Sequence, residues 1–381
     1  MLVLAASVVS AQNLDISITA PVVDPGGPLS AEEAVLNSYL QSAVVGDLEA
    51  QIEGDAELNK FVTLPMLATA AANSGSAAAH LGTQRSFSDY RSFAFVVGTG
   101  GSVAAPGVNI NAISAAAEDI EAEGDVYVGA AVQPVNASLG INLNRWVPRT
   151  RVDLKVGYAS IEKGTIADEV GFESLAVGVG VNYQLLRSRQ LPLGFVRWRG
   201  LTFTSGFLYQ RNETQIDVEI ADSAFSQPFT YQDAGLTNPF GADTETLATV
   251  EVAPTVTAAL ESTTYSVPLE LSTGVRILWL LDLNVGAGID VAFGSSDLVF
   301  GADAVTELIP ADPQAADLIS STPGSVGFGV SNSEAPQLLR PRLTGGVTVN
   351  LGPVKLDVPV MLYFDEDGNT LMAGVNLGIV W

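Results

Sequence analysis

The stretch LMAGVNLGIVW (371–381) alternates without interruption. Leu371, Ala373, Val375, Leu377, Ile379 and Trp381 share one parity, and Met372, Gly374, Asn376, Gly378 and Val380 share the other. A period of two marks a strand with two unlike faces. A sheet in water buries its large apolar side chains and turns its charges outward. Here one face is apolar, the other is small or polar, and there is no charge at all. Such a strand suits a sheet whose outside meets hydrocarbon and whose inside meets polar groups.

The same alternation runs back to about Phe87 in ten stretches, roughly 87–103, 125–144, 151–163, 174–186, 198–221, 247–278, 283–297, 336–351, 354–364 and 370–381. The stretch 247–278 is long enough to hold a hairpin near 261–264, and a change of parity at Pro134 predicts a bulge. Uncharged segments at 61–84 and 92–117 are broken by Gly, Pro, Asn, Ser and Thr, so neither supplies the ~20 apolar residues of a spanning helix. A closed barrel is the remaining way to cross a bilayer, because an open sheet edge would leave backbone groups unpaired in lipid.

Reversing direction at each strand sorts the connections into two sides. Those at 145–150, 187–197, 279–282 and 352–353 are short, and four of the five opposite, at 104–124, 164–173, 222–246 and 298–335, are long, with 365–369 the exception. Short turns on one side and long loops on the other are the asymmetry of an outer-membrane barrel. All four tryptophans, Trp146, Trp198, Trp279 and Trp381, fall at the short-turn end, where an interfacial aromatic girdle belongs. The long side carries Asp and Glu with no Lys or Arg, whereas the short side carries Arg145, Arg149, Arg187, Arg189 and Arg197 against Asp282. Such a field can enrich cations at the outer mouth until salt screens it.

Composition agrees. The chain of 381 residues is 47% hydrophobic with a formal charge of −25, too apolar for disorder and too acidic to bind a phosphate backbone, so no nucleic-acid partner is expected. There is no cysteine, which removes disulfides and thiolate chemistry, and a lone histidine, His80, excludes mechanisms needing two imidazoles. His80 reads as a packed or hydrogen-bonded residue. No catalytic constellation, metal set or cofactor motif emerges. The run DEDGN (365–369) is first a hairpin turn, with no Glu at calcium-loop spacing, and GTGG (98–101) and GAG (286–288) lie in strands rather than before a helix.

Upstream of the strands, MLVLAASVVSAQ (1–12) has the apolar run and small-residue end of an export signal, with residues 1–11 as its remnant and cleavage expected after Ala11. Residues 12–85 form a separate, mainly helical segment before the barrel of 86–381. Ser30 and Glu33 make a capping box, and Val35, Leu36, Tyr39, Leu40, Ala43 and Val44 lie on one helical face over 30–60. The small, uncharged 64–84 suits threading past inward glycines (Gly157, Gly178, Gly180, Gly206, Gly286, Gly288, Gly374, Gly378). The segment is expected inside or across the short-turn mouth, with Glu32, Glu33, Asp47 and Glu49 near the arginine rim.

The strands resemble Gram-negative-type outer-membrane β-barrel proteins, whose final strand commonly ends in an aromatic residue after alternating hydrophobics; Gly374, Leu377, Ile379 and Trp381 stand at those positions. The resemblance implies a bacterial outer-membrane location, lipid and the barrel assembly machinery as partners, and an assembly role for those four residues. An N-terminal segment before a barrel also looks like the fatty-acid transporter family, whose hatch fills the lumen. On the assigned parities the lumen receives Arg151, Asp153, Lys155, Glu270, Arg276, Asp290, Arg340, Arg342, Lys355 and Asp357, where they either pair across strands or form a constriction. The expectation is an all-β transmembrane antiparallel barrel of about ten strands, acting without enzymatic chemistry as a channel or porin-like transporter for small or hydrophobic solutes. The alternative is a surface barrel whose acidic loops bind a partner or matrix.

Overall fold

A computed structural model of the chain describes residues 15–25, 32–54, 65–82, 90–106, 129–164, 170–191, 195–219, 225–238, 241–243, 245–252, 255–311, 319–366 and 368–381. Ten strands close a ring: β1 (Phe93–Pro106), β2 (Gly129–Asn142), β3 (Thr150–Ile161), β4 (Val170–Leu186), β5 (Val196–Glu219), β6 (Thr255–Ile277), β7 (Leu281–Pro310), β8 (Leu339–Leu351), β9 (Val354–Asp365) and β10 (Gly368–Val380). Each pairs with the next in sequence, and β10 pairs with β1 from Val380↔Ala94 to Gly368↔Pro106, so among the described residues the ring closes on itself. Eight of the ten sequence stretches begin and end within about six residues of these strands; 247–278 begins in the separate strand Thr246–Val252, and 283–297 ends early. The strand at 255–277 is continuous, so the hairpin near 261–264 does not form, and β7 runs on past 297 to Pro310.

The bulge at Pro134 is present. Gly98 pairs with Asn136 but Gly100 pairs with Gln133, which leaves one extra residue on β2. Buried positions on β2 switch accordingly from Ala131 and Gln133 to Asn136 and Ser138. The 352–353 turn sits in a conformation its sequence permits: Gly352 has φ 70 ahead of Pro353, as the first central position of a II′ turn requires, whereas Arg149 (φ 63) and Leu278 (φ 55) take left-handed conformations without being glycine. Backbone bonds tie the short-turn end together, from Arg91 N and Ser92 N to Trp381 O (2.7 and 2.8 Å) and from Gln184 N to Arg149 O (3.0 Å).

The faces are inverted relative to a water-soluble sheet. Outward positions are apolar and exposed, among them Leu139, Leu154, Val156, Val177, Val179, Val181, Leu283, Val285, Val347 and Val358. Inward positions are polar and buried, among them Ser102, Ser138, Asn182, Gln210, Ser262, Thr348 and Asn376. Aromatics mark two levels outside. Trp146 (71% exposed), Trp279 (69%) and Trp381 (50%, stacked on Phe93 at 4.4 Å) lie at the short-turn end. Trp198 donates its indole N–H to Thr273 Oγ1 at 2.8 Å. Farther along, Phe207, Tyr209, Tyr265 and Phe293 pack ring to ring with centroids 5.2–5.9 Å apart. From Trp198 to Tyr209 on β5 is eleven steps; at ~3.3 Å each and ~40° tilt they climb ~28 Å, against the ~25 Å apolar band of an outer-membrane barrel. Beyond that second level charges resume on the same face, as Arg211 paired with Glu261 at 2.8 Å. The protein is a transmembrane β-barrel.

The chain divides into two compact units, 1–64 with 216–259 and 299–332, and 65–215 with 260–298 and 333–381. The second holds the barrel strands except the ends of β5, β6 and β7 beyond 215, before 260 and beyond 298. The first is assembled from the N-terminal residues, those strand ends and two of the long connections, which are more ordered than loops. They carry strands Phe225–Thr230, Thr246–Val252, Ile319–Thr322 and Gly324–Glu334, and Asp15–Thr19 pairs with the last of these. Helices α1 (Glu33–Tyr39) and α2 (Val45–Gly54), joined by a π-turn at Leu40–Val44, bury Leu36, Leu40, Val44, Leu48 and Ile52 at steps of four residues. Those side chains share a core with Phe229, Leu247, Val250, Phe300 and Phe328, whereas Val35 is exposed.

Asp47 accepts from Gln227 Nε2 (3.3 Å) and Gln51 donates to Gln227 Oε1 (2.9 Å), so within the first unit this helix packs on the connection that carries Gln227. The cut between the two units in this part of the chain falls between Leu64 and Pro65. The physical reason is composition: 33–54 has an apolar stripe that the long connections cover, and 65–82 does not. Residues 1–11, Ser30 and most of 104–124 lie outside the described residues.

Candidate functional site: the barrel lumen

Ten strands ~4.8 Å apart at ~40° tilt give a circumference of ~63 Å and a backbone diameter of ~20 Å. With inward side chains subtracted, the bore is about as wide as one helix with small side chains, ~10 Å. Helix α3 (Pro65–Ala78) has that composition, PMLATAAANSGSAA, and a turn carries it on to Gly82. Alanines favour the helix and Pro65 opens it at a position where no N–H is needed. Every residue from Ala70 to Gly82 is buried.

The wall reaches this segment from nearly all sides. Ser102 on β1 donates to Ser74 O (2.6 Å), Ser138 on β2 to Gly82 O (2.9 Å), Lys155 on β3 to Ala79 O (2.6 Å), and Arg340 on β8 to Asn73 O (2.7 Å). Leu81 packs with Ala131, Met361, Tyr363 and Met372. It sits where Gly100 and Gly374 leave room: a Cβ on either would come within 2.5 and 2.7 Å of Leu81 Cδ2.

His80 is the centre of the polar network. Its Nε2 lies 2.7 Å from Asp290 Oδ2 and its Nδ1 lies 3.1 Å from Arg342 Nη1. A guanidinium offers only hydrogens, so Nδ1 carries the lone pair and Nε2 the hydrogen that goes to Asp290. Tyr363 also donates to Asp290 Oδ2 (2.9 Å). Arg342 Nε and Nη2 stand 3.1 Å from Asp290 and 3.0 Å from Glu270, ion-pair distances off the line of a hydrogen bond. Ser266 Oγ is 3.5 Å from His80 Nε2, the nitrogen that already serves Asp290, which is not the relay arrangement in which serine and carboxylate take opposite nitrogens.

All ten charged residues assigned to the lumen lie on its inward face. Asp153, Lys155, Glu270, Asp290, Arg340, Arg342, Lys355 and Asp357 are buried, and Arg151 and Arg276 are partly buried toward the short-turn end. They do not form one ring. Glu270, Asp290 and Arg342 meet at His80; Arg340 forms a bidentate pair with Asp365 (2.8 Å twice) while lying 4.4 Å over Tyr363; and Arg276 grips Asp282 (2.6 and 2.7 Å), which Arg199 also reaches at 2.9 Å. Asp153 accepts from Asn182 (2.6 Å), Asp357 from Thr348 (2.8 Å), and Arg151 lies 5.9 Å over the Tyr90 ring. Asp282, Arg199, Asp365 and Tyr363 were missed as lumen residues. The inward parity of Tyr363 with Asp357 was available as a signal; Arg199 stands beside Gly200, whose φ of 89 breaks the alternation. Between the His80 network and the Arg276–Asp282 pair lies a cavity of about 40 Å³ of mixed lining, with Arg199, Glu270, Asn284 and Asp357 beside Val285 and Met361.

A family model described as Lsa36-like matches residues 10–381. The chain belongs to the Lsa36-like family. No curated protein matches it. Among solved structures this Lsa36-like chain is similar to the translocator domain of the autotransporter NalP from Neisseria meningitidis, at 11% identity over 82% of this chain and 99% of that one, TM-score 0.31. It is also similar to the toluene transporter TbuX of Ralstonia pickettii, at 10% identity over 81% and 92%, TM-score 0.23. A third similarity is to the outer membrane protease OmpT from Escherichia coli, at 6% identity over 77% and 98%, TM-score 0.31.

Proposed function

We propose that this Lsa36-like chain is an outer-membrane channel for passive passage of small or hydrophobic solutes, held shut by residues 65–82. The observation that carries the reading is what fills the bore. A separate, small-residue segment, buried from Ala70 to Gly82, is hydrogen-bonded to four strands of the wall. The wall has partners of its own without the segment, since Arg342, Asp290, Glu270 and Tyr363 contact one another. Withdrawing 65–82 would therefore leave a charged passage lined by Lys155, Glu270, Asp290, Arg340, Arg342 and Asp357. The girdle role of Trp146, Trp198, Trp279 and Trp381 and the assembly role of Gly374, Leu377, Ile379 and Trp381 belong to the same proposal. The function is non-enzymatic, with no cofactor.

The test is planar-bilayer recording of the protein lacking 65–82. Unitary conductance severalfold above that of the full chain is expected. A packed lumen also favours the second reading, a surface barrel whose acidic long connections bind a partner or matrix. A truncated barrel that inserts and conducts no better than the full chain would leave that second reading in place.

A further inference from the structure

The chain has 17 Lys and Arg against 42 Asp and Glu, yet six arginines of the short-turn end have no carboxylate partner among the described residues. Arg91, Arg145, Arg149, Arg187, Arg189 and Arg197 all lie in the short turns or at the strand ends beside them, and all but the half-buried Arg149 are exposed. Two make neutral contacts: Arg197 donates to Ser188 Oγ (2.8 Å) and Arg149 to Leu185 O (3.3 Å). Among the described residues none of the six forms an ion pair, while Arg199 and Arg276 nearby take up Asp282. On a chain of net charge −25 this is a positive rim, without ion-pair partners among the described residues.

The arginines are interleaved with exposed apolar side chains. Trp146 lies between Arg145 and Arg149, Leu186 (51% exposed) precedes Arg187, and Phe195 (48%) lies two residues before Arg197. A guanidinium beside an exposed ring at the border of an apolar band is placed where the polar heads of a bilayer begin. Its planar fork matches the oxygens of a phosphate. We infer that this rim binds the phosphates of anionic phospholipid headgroups of the phosphatidylglycerol type, in the leaflet that meets the short-turn end. The binding rests on the barrel spanning the membrane and is independent of whether the lumen opens.

The test uses full-length protein in mixed micelles of phosphatidylcholine with a small fraction of brominated phosphatidylglycerol or brominated phosphatidylcholine, reading quenching of the rim tryptophans. Half-quenching is expected at a tenfold or greater lower fraction of the anionic lipid, with the preference falling about fivefold for each arginine replaced among Arg145→Gln, Arg149→Gln, Arg187→Gln, Arg189→Gln and Arg197→Gln. Arg211→Gln, beyond the other aromatic level, should leave the preference unchanged. Equal quenching by both lipids in the unsubstituted protein overturns the inference without needing any variant to fold. So does loss of the preference when soluble glycerophosphate is added at the lipid's phosphate concentration, because the rim would then be a small-anion site.

Discussion

His80→Ala tests the anchoring of the lumen segment at its strongest point. His80 gives the segment two buried bonds to charged groups, to Asp290 at 2.7 Å and from Arg342 at 3.1 Å. Bonds of this kind contribute ~1.5–3 kcal/mol each, and the alanine variant loses both. Asp290 keeps Tyr363 (2.9 Å) and Arg342 (3.1 Å), so the wall stays paired and the loss falls on the docked segment. With a net cost of about 3 kcal/mol, and ~1.36 kcal/mol per factor of ten, the ratio of withdrawn to docked segment rises about 150-fold. In single-channel recordings the open probability should rise by that order while unitary conductance stays the same, since the pore is unchanged. A variant that migrates as a folded, heat-modifiable barrel with unchanged open probability would refute the anchoring role of His80.

Leu81→Ala removes a fully buried side chain seated against Gly100 and Gly374, a loss of ~2–4 kcal/mol from the docked state, and should raise open probability in the same recordings. Gly374→Ala acts from the other side, because its Cβ would come within 2.7 Å of Leu81 Cδ2; it should raise open probability too, and an unchanged value would show that the segment yields at no cost. Glu261→Gln breaks an outward pair with both side chains 47% exposed, so chemical unfolding should shift by less than ~1 kcal/mol, and a larger shift would mean the pair is not solvated as described. Asp233 accepts from Thr230 N (3.0 Å) and Thr230 Oγ1 (2.8 Å), which hold its carboxyl below 3.8. A depressed carboxyl adds stability above its unfolded value that is lost as pH falls through the folded one, so the carbon-13 midpoint should lie below 3.8 and rise in Thr230→Val.

Much of the barrel was legible because a period of two survives wherever one face meets hydrocarbon and the other meets polar groups. LAVGVGVNYQ (175–184) shows both faces plainly, as does VKLDVPVMLYF (354–364). The parity shift at Pro134 was visible because Pro interrupts an otherwise regular run. The continuation of β7 was obscured by GSSD (294–297), which reads as a turn although the strand continues through it, with Gly294 at φ 137, a conformation that glycine permits. The inward parity of the charged residues was readable. Their partners were not: His80 lies 210 positions from Asp290 and 262 from Arg342, and only closure of the ring brings them together.

The most direct measurement is a reversible lock between the segment and the wall. A Cβ at Gly75 would lie 3.0 Å from Ser262 Oγ, within reach of a disulfide, and the chain has no other cysteine. In planar bilayers the Gly75→Cys, Ser262→Cys protein should be silent when oxidised and show openings on addition of a reductant to the same membrane. Identical conductance in the oxidised and reduced states, with the crosslink verified, would contradict gating by residues 65–82.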